Sequence, residues 1–411
     1  MEQVLYKLPE GWDYTDLASL CKFENGDRGK NYPSRDAFVA SGIPVINAGN
    51  LDGRKIIEAG LNYIPRERYD ILGSGKVRQG DLLFCLRGSL GKCAIVSNLS
   101  EGAIASSLVI VRPSEALDPN YLLYYFNSPL CSTFIERYNN GAAQPNLSAK
   151  SLSKFLIPLT SQKEQKRIVE KLDALLTRID TTIEHLQESV TLADALYASS
   201  LDQVFEKVYL DYSTKPLSVL ASKIGSGATP KGGQKAYKES GISLIRSLNV
   251  YDSEFKPEGL AFIDDDQADK LSNVVVEEGD VLLNITGASI ARCCVAPVEL
   301  LPARVNQHVC IIRPNEELNS TYLNYLLISP KFKAALLFQG AGGATRQALT
   351  KVMVSNLEIP LPPLEMQAEL VGKVNLFSQK NRALKEQVNS KISDLITLKA
   401  SILDSAFKGE L

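Results

Sequence analysis

The chain has 411 residues, 45% of them hydrophobic, which exceeds one ordinary domain and predicts two or three. Its 45 Lys plus Arg are nearly balanced by 47 Asp plus Glu, so no global positive field attracts a polyanion and any such partner must meet local basic patches. No run approaches the ~18 apolar residues of a membrane span, and the opening "MEQVLYKLPEGWDYTDL" lacks a basic, then apolar, secretory signal; a cytoplasmic protein is expected.

Taken in chain order, the first part shows short apolar runs broken by Gly and Pro. "DLLFCLRG" and "AIASSLVIVRP" have the length and bounding residues of strands, and "PNYLLYYFNSP" has the pattern of a helix. Near residue 160 the texture changes to a long stretch almost free of Gly and Pro. There Ile168, Leu172, Leu175, Ile179, Ile183, Leu186 and Val190 recur at helical spacing. From about residue 213 the strand-like texture returns in "DVLLNITG" and "HVCIIRP", followed by the helical "STYLNYLLISPKFKAAL". From 362 onward a second long helical stretch carries Leu370, Val374, Phe377, Leu384, Val388, Ile392 and Leu395.

This return is an internal repeat. "SGIPVINAGNL" from Ser41 is echoed by "SGISLIRSLNV" from Ser240, 199 positions later. "VRPSEALDPNYLLYYFNSP" from Val111 is echoed by "IRPNEELNSTYLNYLLISP" from Ile312, 201 positions later, and "GAAQPNLS" from Gly141 by "GATRQALT" from Gly343, 202 later. An offset that drifts only from 199 to 202 means duplication with small loop insertions.

Each copy is therefore an α+β domain followed by a long helix with one apolar stripe. A single stripe needs a partner, and the simplest is the other copy, antiparallel about a pseudo-twofold. The expected seam comprises Leu172, Leu175, Ile179, Leu186, Val374, Phe377, Leu384, Val388 and Leu395. The expected division is 1–160 and 211–361 for the two globular domains, with 161–210 and 362–411 for the helices. At ~1.5 Å per residue each helix would make a rod of roughly 65 Å. The boundary is written twice, as "FLIPLTSQKEQ" from Phe155 and "LEIPLPPLEMQ" from Leu357. Pro362 and Pro363 suit a strand exit and first helical turn, whereas Thr160 and Ser161 suit an N-cap.

Reaction centres are missing from both copies. His185 lies on the long helix, and His308 in an apolar run reads as a structural histidine with both nitrogens satisfied. Cys21, Cys85, Cys93, Cys131, Cys293, Cys294 and Cys310 give no zinc or disulfide spacing and read as buried, reduced thiols. The glycine-rich "GSGATPKGG" and "GAGGATRQ" match neither phosphate-binding pattern, and no GxSxG, HExxH or Asn-Pro-Pro-aromatic motif occurs. The run Asp264, Asp265, Asp266 reads as a solvated loop in preference to a metal site.

What remains is binding. "KIGSGATPKGGQKAYK" carries Lys223, Lys231, Lys235 and Lys238 with no acid. Glycine allows close backbone approach to a phosphate while lysines neutralise it. The first copy has Arg28, Lys30 and Arg35 there, diluted by Asp27 and Asp36, and its "LRGSLGK" adds Arg87 and Lys92 where the second copy has Thr286 and Arg292. The frame is repeated while these polar loops diverge, so two related domains would bind two different targets.

The order and duplication of "LPEGWDYTDLASL", "KPLSVLASKIGSGATPKGG", "GDLLFCLRGSLGK", "GDVLLNITGASIA" and "ALTKVMVSNLEIPLPPLEMQAEL" resemble the specificity subunits of type I restriction-modification systems, over essentially the whole chain. The resemblance implies two target-recognition domains separated by a pair of antiparallel coiled-coil helices. It implies recognition of a bipartite, asymmetric site on double-stranded DNA, one half per domain, with the gap set by the helices. No cofactor would be bound by this chain; S-adenosylmethionine, ATP and Mg would sit on partner subunits. Those partners would be modification (methyltransferase) subunits, two in number, and restriction (translocase/nuclease) subunits. The chain itself would be non-catalytic, against the alternatives of a methyltransferase or nuclease with divergent motifs and a structural coiled-coil adaptor.

Overall fold

A computed structural model describes residues 5–27, 29, 32–33, 35–139, 145–340 and 348–411. The chain divides into two compact units, Met1–Leu186 with Ser390–Leu411, and Gln187–Asn389, so each long helix contributes to both.

In the first unit, β1 (Cys21–Asn25), β2 (Leu82–Cys85), β3 (Cys93–Ile95) and β4 (Leu108–Pro113) form an antiparallel sheet of order β1-β4-β2-β3. Along β2 the side chains alternate between two cores, because successive residues of a strand point to opposite faces. Leu82 and Phe84 join helix α1 (Pro119–Phe126) and the long helix α2 (Gln162–Asp211). Leu83 and Cys85 pack with Ile46 and Ile104 of a second sheet, in which Ile43–Ile46 pairs parallel to Glu101–Ile104. A strand buried on both faces has no polar side, which is why "LLFCL" reads as an unbroken apolar run.

The second unit repeats the plan with β5 (Ala221–Ser226), β6 (Val281–Asn284), β7 (Cys293–Val295) and β8 (Val309–Pro314) in the order β5-β8-β6-β7. Helix α3 (Ser320–Ile328) covers one face, and the sheet of Ile242–Ile245 with Ala303–Val305 covers the other. The "STYLNYLLISPKFKAAL" run is not one helix: α3 ends at Ile328, and Pro330 opens a new helix, Pro330–Gly340, as a residue without an amide hydrogen does best at a first turn. Helix α4 (Leu364–Lys408) closes the chain.

The repeated boundary has a physical explanation. "LIPL" is a strand, Leu156–Leu159, paired antiparallel with the first strand of its unit, Asp13–Asp16; Glu358–Pro360 pairs in the same way with Thr214–Pro216. The helix then starts at once, with Ser161 Oγ accepting from the Glu164 amide at 3.3 Å in one copy and Leu364 following Pro363 in the other. Three residues into each helix, a fully buried glutamine ties this start to the α+β domain. Gln165 Oε1 accepts from the Asp118 amide (2.8 Å), and its Nε2 donates to the carbonyls of Ala116 (3.0 Å) and Thr160 (2.8 Å). Gln367 repeats all three bonds with Asn319, Glu317 and Pro362 at 2.8, 2.9 and 2.9 Å.

Within the first unit, α2 and the end of α4 run antiparallel. Arg167 donates to the Leu411 carbonyl at 2.6 Å while Asp180 pairs with Lys399, and Leu172, Leu176 and Ile179 are buried in one core with Leu403 and Phe407. Leu175, Leu186 and Leu395 are half-buried, so Leu176 takes the inward place expected of Leu175. In the second unit Val374 and Val388 are buried, but Phe377 and Leu384 are 42% and 45% exposed and do not form the expected seam. Between those two levels the helices meet through polar groups: Asp194 accepts from Asn381 (3.1 Å) and from Lys385 (2.9 Å). The acidic run is not a loop either. Asp264 caps the short helix Asp265–Asp269, and its carboxylate, bonded to the Gln267 amide and then to Lys238, is held below the usual range.

Candidate nucleic-acid interface

In both units one end of the first sheet gathers the polar loops. In the second unit β5 ends at Ser226 beside Cys310, and Asn284 of β6 lies opposite Val309. Leaving that end are the loop after Ser226, the turn from β6 to β7, and Gln307–His308. The first unit gathers the loop after Asn25, the Arg87–Lys92 turn and Ser107 at the matching end.

Two devices brace the sheet that carries these loops. The first is a close crossing: a Cβ on Gly227 would lie 1.7 Å from the Val305 carbonyl oxygen, and one on Gly26 2.9 Å from that of Ala105. Only glycine permits the approach. The second, at the opposite end of the same strands, is an ion pair that the sequence wrote twice, as "GD" and "RP". Arg313 donates to Asp280 at 2.7 and 2.9 Å and to the Val275 carbonyl at 3.0 Å, and it also contacts Glu277. Arg112 does the same with Asp81 (2.8 and 3.0 Å), the Lys76 carbonyl (2.9 Å) and Glu24. Bonding to the buried Asp280 pushes the Arg313 guanidinium further up. For Glu24 burial alone would favour the neutral acid, but the bonds from Arg112 and the Gly75 amide outweigh it and hold its carboxyl low.

The turns themselves are clamped alike. The Gly88 amide donates to Pro145 O (3.2 Å) and that of Leu147 to Leu86 O (2.8 Å); in the second unit Leu349 donates to Ile285 O at 2.8 Å. Gly88 and Gly287 both turn with positive φ, at 77° and 78°. Cys85 N–H donates to Lys92 O and Asn284 N–H to Arg292 O, each at 2.8 Å, so Lys92 and Arg292 occupy equivalent backbone places although they lie 200 positions apart. The second turn is one residue longer.

The expected basic residues fall into several groups. Arg87 and Lys92 are exposed on the first unit's turn. Lys231 and Lys235 are exposed on the glycine-rich loop and carry no partner among the described residues. Lys238 is exposed but paired with Asp264 at 3.0 Å. Lys223 does not join them: it stands within β5 opposite Arg313, back from the sheet end. Arg28 and Lys30, and the side chain of Arg35, lie outside the described residues.

The second unit adds a cleft of about 800 Å³ at this end, lined by Tyr251, Thr286, Gly287, Ser289, Arg292 and His308, among others. His308 is structural in the sense expected, with Nδ1 2.5 Å from Thr286 Oγ1 and Nε2 3.1 Å from Gln307 Nε2, yet it also faces the cleft. Tyr251 carries Arg292 at 4.5 Å and Lys256 at 4.3 Å from its ring centre. Sequence reading missed Tyr251 and the Thr286–His308 pair, because neither has a counterpart in the other copy. Among the described residues no cluster of His, Cys, Asp or Glu could hold a metal, and no helix is long and apolar enough to cross a membrane.

Known proteins share this arrangement. The model of the type I restriction modification DNA specificity domain matches twice, at residues 9–192 and 217–394. The chain is 24% identical to the StySPI type I restriction enzyme specificity subunit of Salmonella potsdam, over 98% of this chain and 90% of that protein. It is 21% identical to the EcoKI specificity subunit of Escherichia coli K12, with the same coverages. In fold it is similar to a chain from a study of complex assembly and conformational transition of the type I restriction-modification system (TM-score 0.78, 23% identity, 99% of this chain and 100% of that one). It is also similar to the HsdS subunit of Thermoanaerobacter tengcongensis (TM-score 0.54, 23% identity, 100% of both). With both halves matched in order, the chain belongs to the family of type I restriction modification DNA specificity domains.

Proposed function

We propose that this chain is the non-catalytic DNA-specificity subunit of a type I restriction-modification enzyme. Residues 1–160 and 211–361 act as two reading heads, each for one half of a bipartite, asymmetric site, and 161–210 and 362–411 act as the spacer that sets the gap. The supporting observation is the pair of sheet ends: one scaffold, held by the same Asp–Arg pair and the same glycine crossing, presents Arg87 and Lys92 in one copy and Thr286, Arg292 and His308 in the other. A shared frame with unlike polar tips suits two readings of the same kind of polymer.

In this reading the exposed cations, Lys231 and Lys235 among them, contact phosphates and set the register, while side chains recessed at the sheet end reach base edges in the major groove. Two modification subunits would dock on the helices, bringing S-adenosylmethionine, and restriction subunits would bring ATP and Mg. The partner-borne chemistry makes the chain an address and leaves bond-breaking to others. The test is to assemble the chain with its modification subunits and map methylated adenines across a genome: two short half-motifs separated by a fixed unspecified gap support the reading, and one continuous motif refutes it. Inserting one helical turn into α2 and α4 should lengthen the gap and leave both half-motifs intact.

A further inference from the structure

Arg292 differs from the arginines that brace the sheet. Arg313 and Arg112 are each held by two carboxylates, whereas the half-buried Arg292 guanidinium has no carboxylate, hydroxyl or carbonyl partner among the described residues. It sits recessed in the 800 Å³ cleft, and its contact is the face of Tyr251 at 4.5 Å. A ring fixes the plane and direction of a guanidinium while leaving its N–H donors unused. Around it stand Thr286, Ser289 and His308, short groups suited to base edges. The equivalent place in the first unit holds Lys92, an exposed point charge with no ring contact among the described residues.

We propose, resting on the reading of function above, that Arg292 is a specificity-determining residue that reads a guanine in the half-site of the second unit, with Tyr251 as its positioning residue. Guanine presents two acceptors, O6 and N7, side by side in the major groove, and a planar fork of donors matches them where a single ammonium does so less selectively. A phosphate contact would need no recess and no fixed plane; the exposed Lys231 and Lys235 suit that task better.

The experiment uses the complex of this chain with its modification subunits, with methylated-adenine mapping and competition between duplexes that differ at one base pair. Arg292→Ala should relax one G·C position in one half-motif, with discrimination there falling roughly 5- to 150-fold, the equivalent of one bidentate contact. The other half-motif and the gap should be unchanged. Arg292→Gln, which keeps a polar chain should the alanine variant not assemble, should move the preference at that position toward adenine. Tyr251→Leu should relax the same position to a smaller degree. An unchanged motif, a uniform loss of affinity over all sequences, or an assembled complex that methylates nothing would each overturn the assignment. If the unmutated complex itself gave a single continuous motif, the reading of function would fall; a bipartite motif indifferent to Arg292 removes this inference alone.

Discussion

Asp280 and Arg313 lie at the edges of adjacent strands and are joined by two hydrogen bonds of 2.7 and 2.9 Å, with the Asp280 side chain wholly buried. Removing one member of a buried ion pair costs about 3–5 kcal/mol, and because Glu277 still contacts Arg313 the loss here falls toward the lower end of that range. Asp280→Asn, which preserves shape, is expected to lower the midpoint of denaturant unfolding of the second unit clearly. Asp81→Asn should do the same to the first unit, since a second carboxylate remains in each, Glu277 on Arg313 and Glu24 on Arg112. Equal unfolding midpoints for wild type and Asp280→Asn would show that the pair does not stabilise the sheet.

The glutamine ties give a second expectation. Gln367→Ala strands one amide donor and two carbonyls at a fully buried site. At about 1–3 kcal/mol per abandoned buried group, part of it recovered by entering water, a loss of about 2–4 kcal/mol is expected, or a fall of several degrees in Tm. Calorimetry of Gln165→Ala and Gln367→Ala should show two similar losses, because the bonds are the same three; a silent variant would mean that water replaces them without cost.

The thiols provide a pH-dependent check of the cores. All seven cysteines are buried and unpaired, and burial pushes Cys21, Cys294 and Cys310 up to about 12 from an ordinary 9.0. The native protein at pH 8 should resist alkylation at every cysteine, and denaturant should expose seven reactive thiols, as counted by mass spectrometry. The sign for stability follows from the same shift. Above about pH 9 the unfolded thiols lose protons while the folded ones keep them, so this contribution is complete below pH 9 and declines as pH rises toward 12. A thiol that reacts rapidly at pH 8 in the folded protein would contradict the packing of its strand.

Lys231 and Lys235 are expected to act on affinity and not on sequence. In the assembled complex, Lys231→Ala with Lys235→Ala should weaken binding to all duplexes alike and reduce the slope of log K against log salt by roughly 2, at ~0.9 per phosphate contact. A changed motif with an unchanged slope would assign them to bases instead.

Much of this architecture was legible because duplication supplies an internal control. Strands such as Leu82–Cys85 and Val309–Pro314, the two long helices and their glycine-poor texture follow from period and composition. Gln165 and Gln367 were visible in register, but their task was not, since it depends on carbonyls some 50 positions away. The same holds for "GD" and "RP": each is a short repeated string, and only the sheet brings Asp280 to Arg313. Charge alone does not reveal that strand pairing sets Lys223 back from the sheet end, or that Lys238 pairs with Asp264. Phe377 and Leu384 fit a stripe by spacing, yet Asp194 with Asn381 and Lys385 makes that level polar. Tyr251 and His308 carry no motif at all, because a cleft is made by loops of unrelated sequence.

The turn that ends in Arg292 is one residue longer than the one that ends in Lys92, and the offset between the copies steps from 199 to 200 there, between two strands that stay in identical pairing. Growth since duplication has thus been recorded at the rim and refused by the frame. The drifting offset is a history of which parts of the molecule were free to vary in length, and it points to the same loops that geometry singles out as the place where new specificities can be written without disturbing the fold.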